Sequence, residues 1–192
     1  MKKLFTLVLV IGCMAPVQSL FSQTSAFNDY IEETLNSSDT IPDFEIKKEK
    51  LMITGTVYEN DGVTPASDVI LYMFQPDENG LYDLKRENGK RYVRHRGWVK
   101  TDANGNYAFY TFVPGNYLNN RELKHIHTMV KAPGKEEKAL EALLFDNDPF
   151  LSKHCRKRLA KKGLENSILK LDKKESMFVA VNNIVLNSDI MQ

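Results

Sequence analysis

GNYAFYTFV, residues 105–113, puts Tyr107, Phe109 and Thr111 at every second position, so an extended chain turns all three to one side. Aromatic and β-branched side chains in this alternation suit a pleated, half-buried surface. Working outward, LMITGTVYE (51–59) and SDVILYMFQ (67–75) have the same character. The runs are punctuated by Asp61-Gly62, Asn79-Gly80, Asn88-Gly89 and Asn104-Gly105, the dipeptides that tight turns between strands require. Between residues 50 and 130 the pattern therefore predicts an all-β fold, an antiparallel β-sandwich. No helices alternate with these strands and no Gly-rich phosphate loop follows one, which excludes a nucleotide-binding α/β fold.

Beyond Gly134, LEALLFD (140–146) predicts a further strand, and SMFVAVNNIVLN (176–187) a last one that closes the sandwich. Between them, DPFLSKHCRKRLAKKG (148–163) predicts one helix near the C-terminus, with Asp148 as its cap, Pro149 at its start and Gly163 at its end. Lys153, Arg156, Lys157, Arg158, Lys161 and Lys162 make this helix basic, as a solvated helix face commonly is. Upstream, Phe27, Tyr30, Ile31 and Leu35 recur at helical spacing and predict a short N-terminal helix, followed by a linker through Ser37-Ser38-Asp39-Thr40.

Residues 1–22 open with Lys2 and Lys3, continue in an apolar run from Leu4 to Ile11 and turn polar near Ser22, the pattern of an export signal. The apolar run is too short for a stable bilayer span. Two processing routes stay open: cleavage near Ser22 releases a soluble protein, whereas Val10-Ile11-Gly12-Cys13 reads as a lipoprotein box that would anchor the chain in a membrane through Cys13. The expected organisation is thus a signal over 1–22, a helical lead-in and linker over 23–47, and a β-sandwich domain over 48–192. Localisation would be outside the cytoplasm. Losing Lys2 and Lys3 moves the net charge from +1 to −1, and no global field of this size draws nucleic acid. Of the two cysteines, Cys13 and Cys155, only the second lies in the folded part, so no internal disulfide framework holds the domain together.

Chemistry concentrates in TFVPGNYLNNRELKHIH, residues 111–127. In a strand His125 and His127 share a face while Ile126 turns into the packing. Tyr117 follows the Pro114-Gly115-Asn116 turn and precedes His125 by eight residues, so its loop can fold the phenol back toward the imidazoles. Tyr82 supplies a second phenol upstream. A lone His-x-His or tyrosine is ordinary, but two phenols and two imidazoles together suit ferric iron, which favours hard anionic oxygen and tolerates imidazole. The ion's charge would also displace the phenolic protons. Tyr58, His95 and Trp98 are candidate pocket residues.

Three segments carry a resemblance to a known family. FQPDENGLY (74–82) resembles the W-Q-x-D-x-x-G-x-Y segment of the intradiol ring-cleavage dioxygenases, with Phe74 in the tryptophan position. TDANGNYAFYTFVPGNY (101–117) is similar to their T-D-x-x-G-x-Y-x-F-x-T-x-x-P-G-x-Y, and LKHIH (123–127) to their P-A-H-I-H. The resemblance implies a non-haem Fe(III) centre with Tyr82 and His125 as equatorial ligands, Tyr117 and His127 as the axial pair, and a solvent hydroxide. It implies insertion of both atoms of O2 between the two hydroxyl-bearing carbons of a catechol. The catechol would bind as a dianion in place of hydroxide and Tyr117, both of which can take up its protons. One position departs from the pattern: Glu122 stands where the family has an arginine, so Arg121 is carried over as the catalytic cation. The alternative is a catalytically inactive sandwich of the same descent, or a transthyretin-like binding module.

Overall fold

The structure, a computed structural model, describes residues 32–116 and 122–187. Its strands in chain order are β1 (Ser38–Thr40), β2 (Lys50–Tyr58), β3 (Ile70–Phe74), β4 (Leu84–Glu87), β5 (Lys90–Val93), β6 (Arg96–Lys100), β7 (Asn106–Phe112), β8 (His125–Lys131), β9 (Lys138–Ala139), β10 (Leu143–Phe145), β11 (Ile168–Leu169), β12 (Asp172–Lys174), β13 (Met177–Val181) and β14 (Ile184–Val185). One sheet runs β1-β7-β2-β13-β12 with β14 also on β2; a second runs β11-β10-β8-β3-β6 with β9 also on β8. β4 and β5 form a separate hairpin.

The expected period of two places the core. Leu51, Ile53 and Val57 of β2 and Tyr107 and Phe109 of β7 meet Leu71 and Met73 of β3, Val99 of β6, and Ile126 and Val130 of β8 in one buried cluster. Each fully buried aliphatic side chain of this kind stabilises the fold by about 1.5–3 kcal/mol. Where alternation puts polar residues inside, partners are supplied. Thr111 donates its hydroxyl proton to Gln75 Oε1 at 2.5 Å, and Gln75 Nε2 donates to the Phe112 carbonyl at 3.0 Å. The buried Tyr107 hydroxyl donates to the Asn182 carbonyl at 2.8 Å.

The turn chemistry is found where it was expected. Asn88 and Gly89 sit at φ 47° and 79° between the paired residues Glu87 and Lys90, the two-residue left-handed turn that an Asn-Gly hairpin adopts. Asp77 and Asp102 head two D-x-N-G turns of the same design. Asp77 Oδ1 accepts from the Asn79 and Leu81 N–H groups, and Asp102 Oδ1 from those of Asn104 and Asn106, all at 2.8–2.9 Å.

Four expectations need correction. The sheets are mixed rather than antiparallel: β2–β7, β3–β6 and β3–β8 are antiparallel, but β1–β7, β10–β11, β13–β2 and β14–β2 are parallel. The last strand breaks into β13 and β14 at Asn182-Asn183, where the Asn182 carbonyl approaches so closely that a Cβ on Gly55 would lie 2.0 Å from it. Ser37–Thr40 is not a linker, because β1 pairs with β7 and Asp39 accepts the Trp98 N–H at 2.9 Å. The C-terminal helix, α1 (Lys153–Lys161), starts later than Pro149 and takes Ser152 as its cap, since the Asp148 carboxylate is engaged elsewhere. Most of the expected N-terminal helix lies outside the described residues, and its described end, Glu32–Thr34, is a 3-10 turn; the signal segment also lies outside them.

Asp43, at φ 70°, ties this lead-in to the rest of the fold. Arg94 donates Nε–H and Nη2–H to its two carboxylate oxygens at 2.9 and 2.8 Å, and His95 Nε2 lies 3.3 Å away. The Arg94 guanidinium holds the carboxyl well below the usual aspartate range, with His95 helping and burial opposing. Because the folded value is the depressed one, this stabilisation is present above the unfolded value of about 3.9 and is lost as pH falls below it. Asn tolerates a left-handed backbone, so Asp43→Asn isolates the charge. The variant should lose about 1–2 kcal/mol at pH 7, with the difference from wild type shrinking as pH drops below about 4. Urea midpoints across that range check it, and a pH-independent difference counts against the ion pair.

Candidate metal centre

β8 carries the two imidazoles as the alternation requires. Ile126 is buried at 0% exposure on the core side while His125 and His127 stand half-buried on the opposite face. Register sets their neighbours: His127 pairs with Phe74 of β3 and His125 with Leu144 of β10. The Phe74 ring stacks on His127 with centroids 4.7 Å apart and planes within 21°, which fixes the imidazole plane. His125 Nδ1 lies 2.7 Å from the Leu123 carbonyl. A carbonyl only accepts, so the proton sits on Nδ1 and the Nε2 lone pair faces the site.

Tyr82 reaches both imidazoles from the loop between β3 and β4. The Asp77 turn ends at Leu81, and beyond the tyrosine the Arg94 N–H donates to the Asp83 carbonyl at 2.8 Å, so its backbone is held on both sides. Its hydroxyl lies 2.8 Å from His125 Nε2 and 2.9 Å from His127 Nε2. A phenol has one proton to give, and two imidazole nitrogens converge on it.

The electrostatics follow from burial. Tyr82 is pushed up to about 12, first by burial and then by the Glu122 carboxylate. His127 is pushed down to about 4, first by burial and then by His125, so it is neutral near pH 7. Among the described residues no group of three His, Cys, Asp or Glu gathers; the third polar group beside the two imidazoles is the Tyr82 phenol. One phenol oxygen with two imidazole nitrogens, each within 3 Å of that oxygen, forms a donor set that fits ferric iron.

Of the other expected site residues, Tyr117 and Arg121 lie outside the described residues. His95 is buried edge-on against Phe112, and Tyr58, the last residue of β2, bridges Pro65. Trp98 stacks on Tyr72, which stacks on Phe74, so it stands two rings away from His127. Asn116 and Asp148 were not singled out for this site by the sequence. Asp148 is 4% exposed, and its Oδ2 accepts from the Lys124 N–H at 2.6 Å and Asn116 Nδ2 at 3.0 Å. An aspartate before a proline at a helix start signals a cap, and nothing local distinguishes that use from this one.

A mostly β chain whose sheet face gathers a phenol and two imidazoles defines a β protein with a candidate site for a hard, high-valent metal. A family model described as dioxygenase matches residues 26–188, and the chain belongs to the intradiol ring-cleavage dioxygenase family. It is 27% identical over 165 residues to a hydroxyquinol 1,2-dioxygenase of Corynebacterium glutamicum, a match covering 71% of this chain and 53% of that protein. The chain thus spans about half the length of the curated relative it matches. In fold it is similar to the dioxygenase domain of a dioxygenase–carbohydrate-binding fusion from Streptomyces sp. SirexAA-E (TM-score 0.59, 22% identity, 80% of this chain and 88% of that one). It is also similar to an intradiol ring-cleavage dioxygenase from Tetranychus urticae (TM-score 0.59, 21% identity, 82% and 89%).

Proposed function

We propose that this chain is an exported, non-haem Fe(III) dioxygenase that cleaves a catechol-type ring between its two hydroxyl-bearing carbons with O2. The observation that carries the reading is the convergence of His125 Nε2 and His127 Nε2 on the Tyr82 hydroxyl at 2.8 and 2.9 Å. We assign Tyr82, His125, His127 and, from the sequence, Tyr117 as the ligands. The two sheets sharing one core form the sandwich that carries them. When bound, ferric iron supplies Lewis-acid activation of the catechol and a template for O2.

The residues divide the work. Tyr82 gives up its phenolic proton and contributes anionic oxygen, His125 presents a lone pair fixed by the Leu123 carbonyl, and His127 is held flat by Phe74. Tyr117 takes up a catechol proton at its phenolate oxygen, and Arg121 supplies positive charge beside the substrate. Export rests on residues 1–22, with either cleavage near Ser22 releasing the chain or Cys13 serving as a lipid anchor.

Oxygen uptake by iron-loaded protein across a small panel of catechols tests the reading. One O2 consumed per ring opened is the expected result, with wine-red colour from tyrosinate-to-ferric charge transfer; colourless protein under iron-replete, non-reducing conditions would sink it. Glu122 favours a second reading, a silent binding module, because its carboxylate opposes ionisation of Tyr82. That reading predicts catechol binding without uptake.

Metal uptake should depend on pH in a stated direction. Tyr82 is protonated below about 12 and must release its proton to bind, whereas neutral His127 releases none. Apparent iron affinity should therefore rise about tenfold per pH unit for Tyr82 alone, and more steeply if Tyr117 ionises too. Competition against a chelator between pH 6 and 8 measures the slope, and a flat profile would exclude a phenolate ligand.

A further inference from the structure

We propose that Asp148 is the positioning residue for His125, a role that rests on the ligand assignment above. His125 is the first residue of β8, and its cross-strand partner is Leu144 of β10. Immediately upstream, the chain leaves the sheet and its hydrogen bonds come from side chains. The Lys124 N–H donates to Asp148 Oδ2 at 2.6 Å, and Asn116 Nδ2 donates to the Glu122 carbonyl at 3.0 Å and to the same Asp148 Oδ2 at 3.0 Å. Between these two anchored residues sits Leu123, whose carbonyl takes the His125 Nδ1 proton. The carbonyl that aims the imidazole is thus held by Asp148 on one side and by Asn116 on the other.

The carboxylate is built into place. Asp148 Oδ1 accepts the Phe150 N–H at 2.8 Å, so three N–H donors fix both oxygens in a buried setting. Asp148 lies just past β10, the strand that pairs with His125. Asn116 directly precedes Tyr117 in the chain, so a single carboxylate joins the entry to one expected ligand and the entry to another. Losing an acceptor that serves two donors leaves both unpaired in a buried place.

Asp148→Asn keeps an acceptor at only one of the two oxygen positions, so its NH2 group faces either the Lys124 N–H and the Asn116 amide together or the Phe150 N–H. Residues that orient metal ligands typically cost about 10–100-fold in metal affinity when altered, and a loss in that range is expected here. The decisive readout is taken first on metal-free protein. Imidazole NMR signals of His125 should shift or broaden in Asp148→Asn, while those of His127, held by Phe74 on the adjoining strand, stay in place. Asn116→Ala, which keeps the carboxylate, should displace the His125 signals in the same way but less. Ferric iron titration of both variants and wild type then reads the affinity loss.

Undisturbed His125 signals in Asp148→Asn would overturn the proposal. Equal disturbance of His125 and His127, with a general loss of folded signal in both variants, would overturn it too, because Asp148 would then be a stability residue only. If wild type binds no iron, the functional reading fails on its own, and the metal-free comparison still decides whether Asp148 sets His125.

Discussion

Tyr82→Phe is expected to give a folded protein that retains no ferric iron and consumes no oxygen with catechol. The substitution keeps the ring, which lies 6.5 Å from Phe74 and 6.3 Å from His127 between centroids, so packing is conserved. What is removed is one oxygen and its contacts at 2.8 and 2.9 Å to the two Nε2 atoms. Those contacts are half-buried and contribute only about 1–2 kcal/mol to stability, so the melting temperature should move by a few degrees at most. Affinity for iron should fall by more than about 100-fold, because even groups that merely orient ligands cost up to that much. His127→Ala should match the loss of iron, with an added stability cost from the vacated stack on Phe74. Iron content by absorbance, oxygen electrode traces and circular dichroism separate the effects. A red Tyr82→Phe protein with wild-type uptake would remove this residue from the centre and with it the geometric basis of the functional reading.

The strand faces and the turn that bring Tyr82 to the two imidazoles are visible in the chain itself. Alternation in residues 105–113 turned Tyr107 and Phe109 inward, His-x-His put two imidazoles on one face, and Asn79-Gly80 marked the turn that delivers Tyr82. All of these depend on residues within a few positions of each other, where backbone geometry alone dictates direction. The unforeseen features depend on partners far along the chain. Nothing in Ser37–Thr40 announces β7 as its neighbour, and Asn182 reveals its approach to Gly55 only once β13 lies parallel to β2. Asp148 had a satisfactory local role as a helix cap; the backbone of Lys124, twenty-four residues earlier, claims it instead. Tertiary hydrogen bonds outrank local capping when the group is buried, since leaving it unpaired costs more than a cap returns.

Gly115→Ala is expected to be the most disruptive single-methyl change near the centre. A Cβ at this position would lie 2.0 Å from the Glu78 carbonyl oxygen, 2.4 Å from its carbon and 2.9 Å from the Gly80 nitrogen. All three are backbone atoms of the turn leading to Tyr82, so no side chain can swing aside. The turn is itself held by Asp77: its N–H donates to the Leu81 carbonyl at 2.8 Å, its carbonyl accepts from Gly80 at 3.1 Å and from Gly115 at 2.9 Å. With the turn locked, residues 114–116 must move, and Asn116 is drawn away from Asp148 and the Glu122 carbonyl. Overpacking of this kind costs about 3 kcal/mol or more, and iron affinity should fall with it because both routes to the ligands are displaced. Gly134→Ala is the matched control. Gly134 sits at φ 69°, and a methyl group placed on it would meet no atom within 4 Å, so alanine there costs only backbone strain of about 1–2 kcal/mol. Chemical denaturation and iron titration of the two variants side by side should show a larger stability loss for Gly115→Ala and an iron defect confined to it. Equal stabilities with unchanged iron binding would mean that the Tyr82 turn and the segment at Gly115 and Asn116 do not press on each other as described.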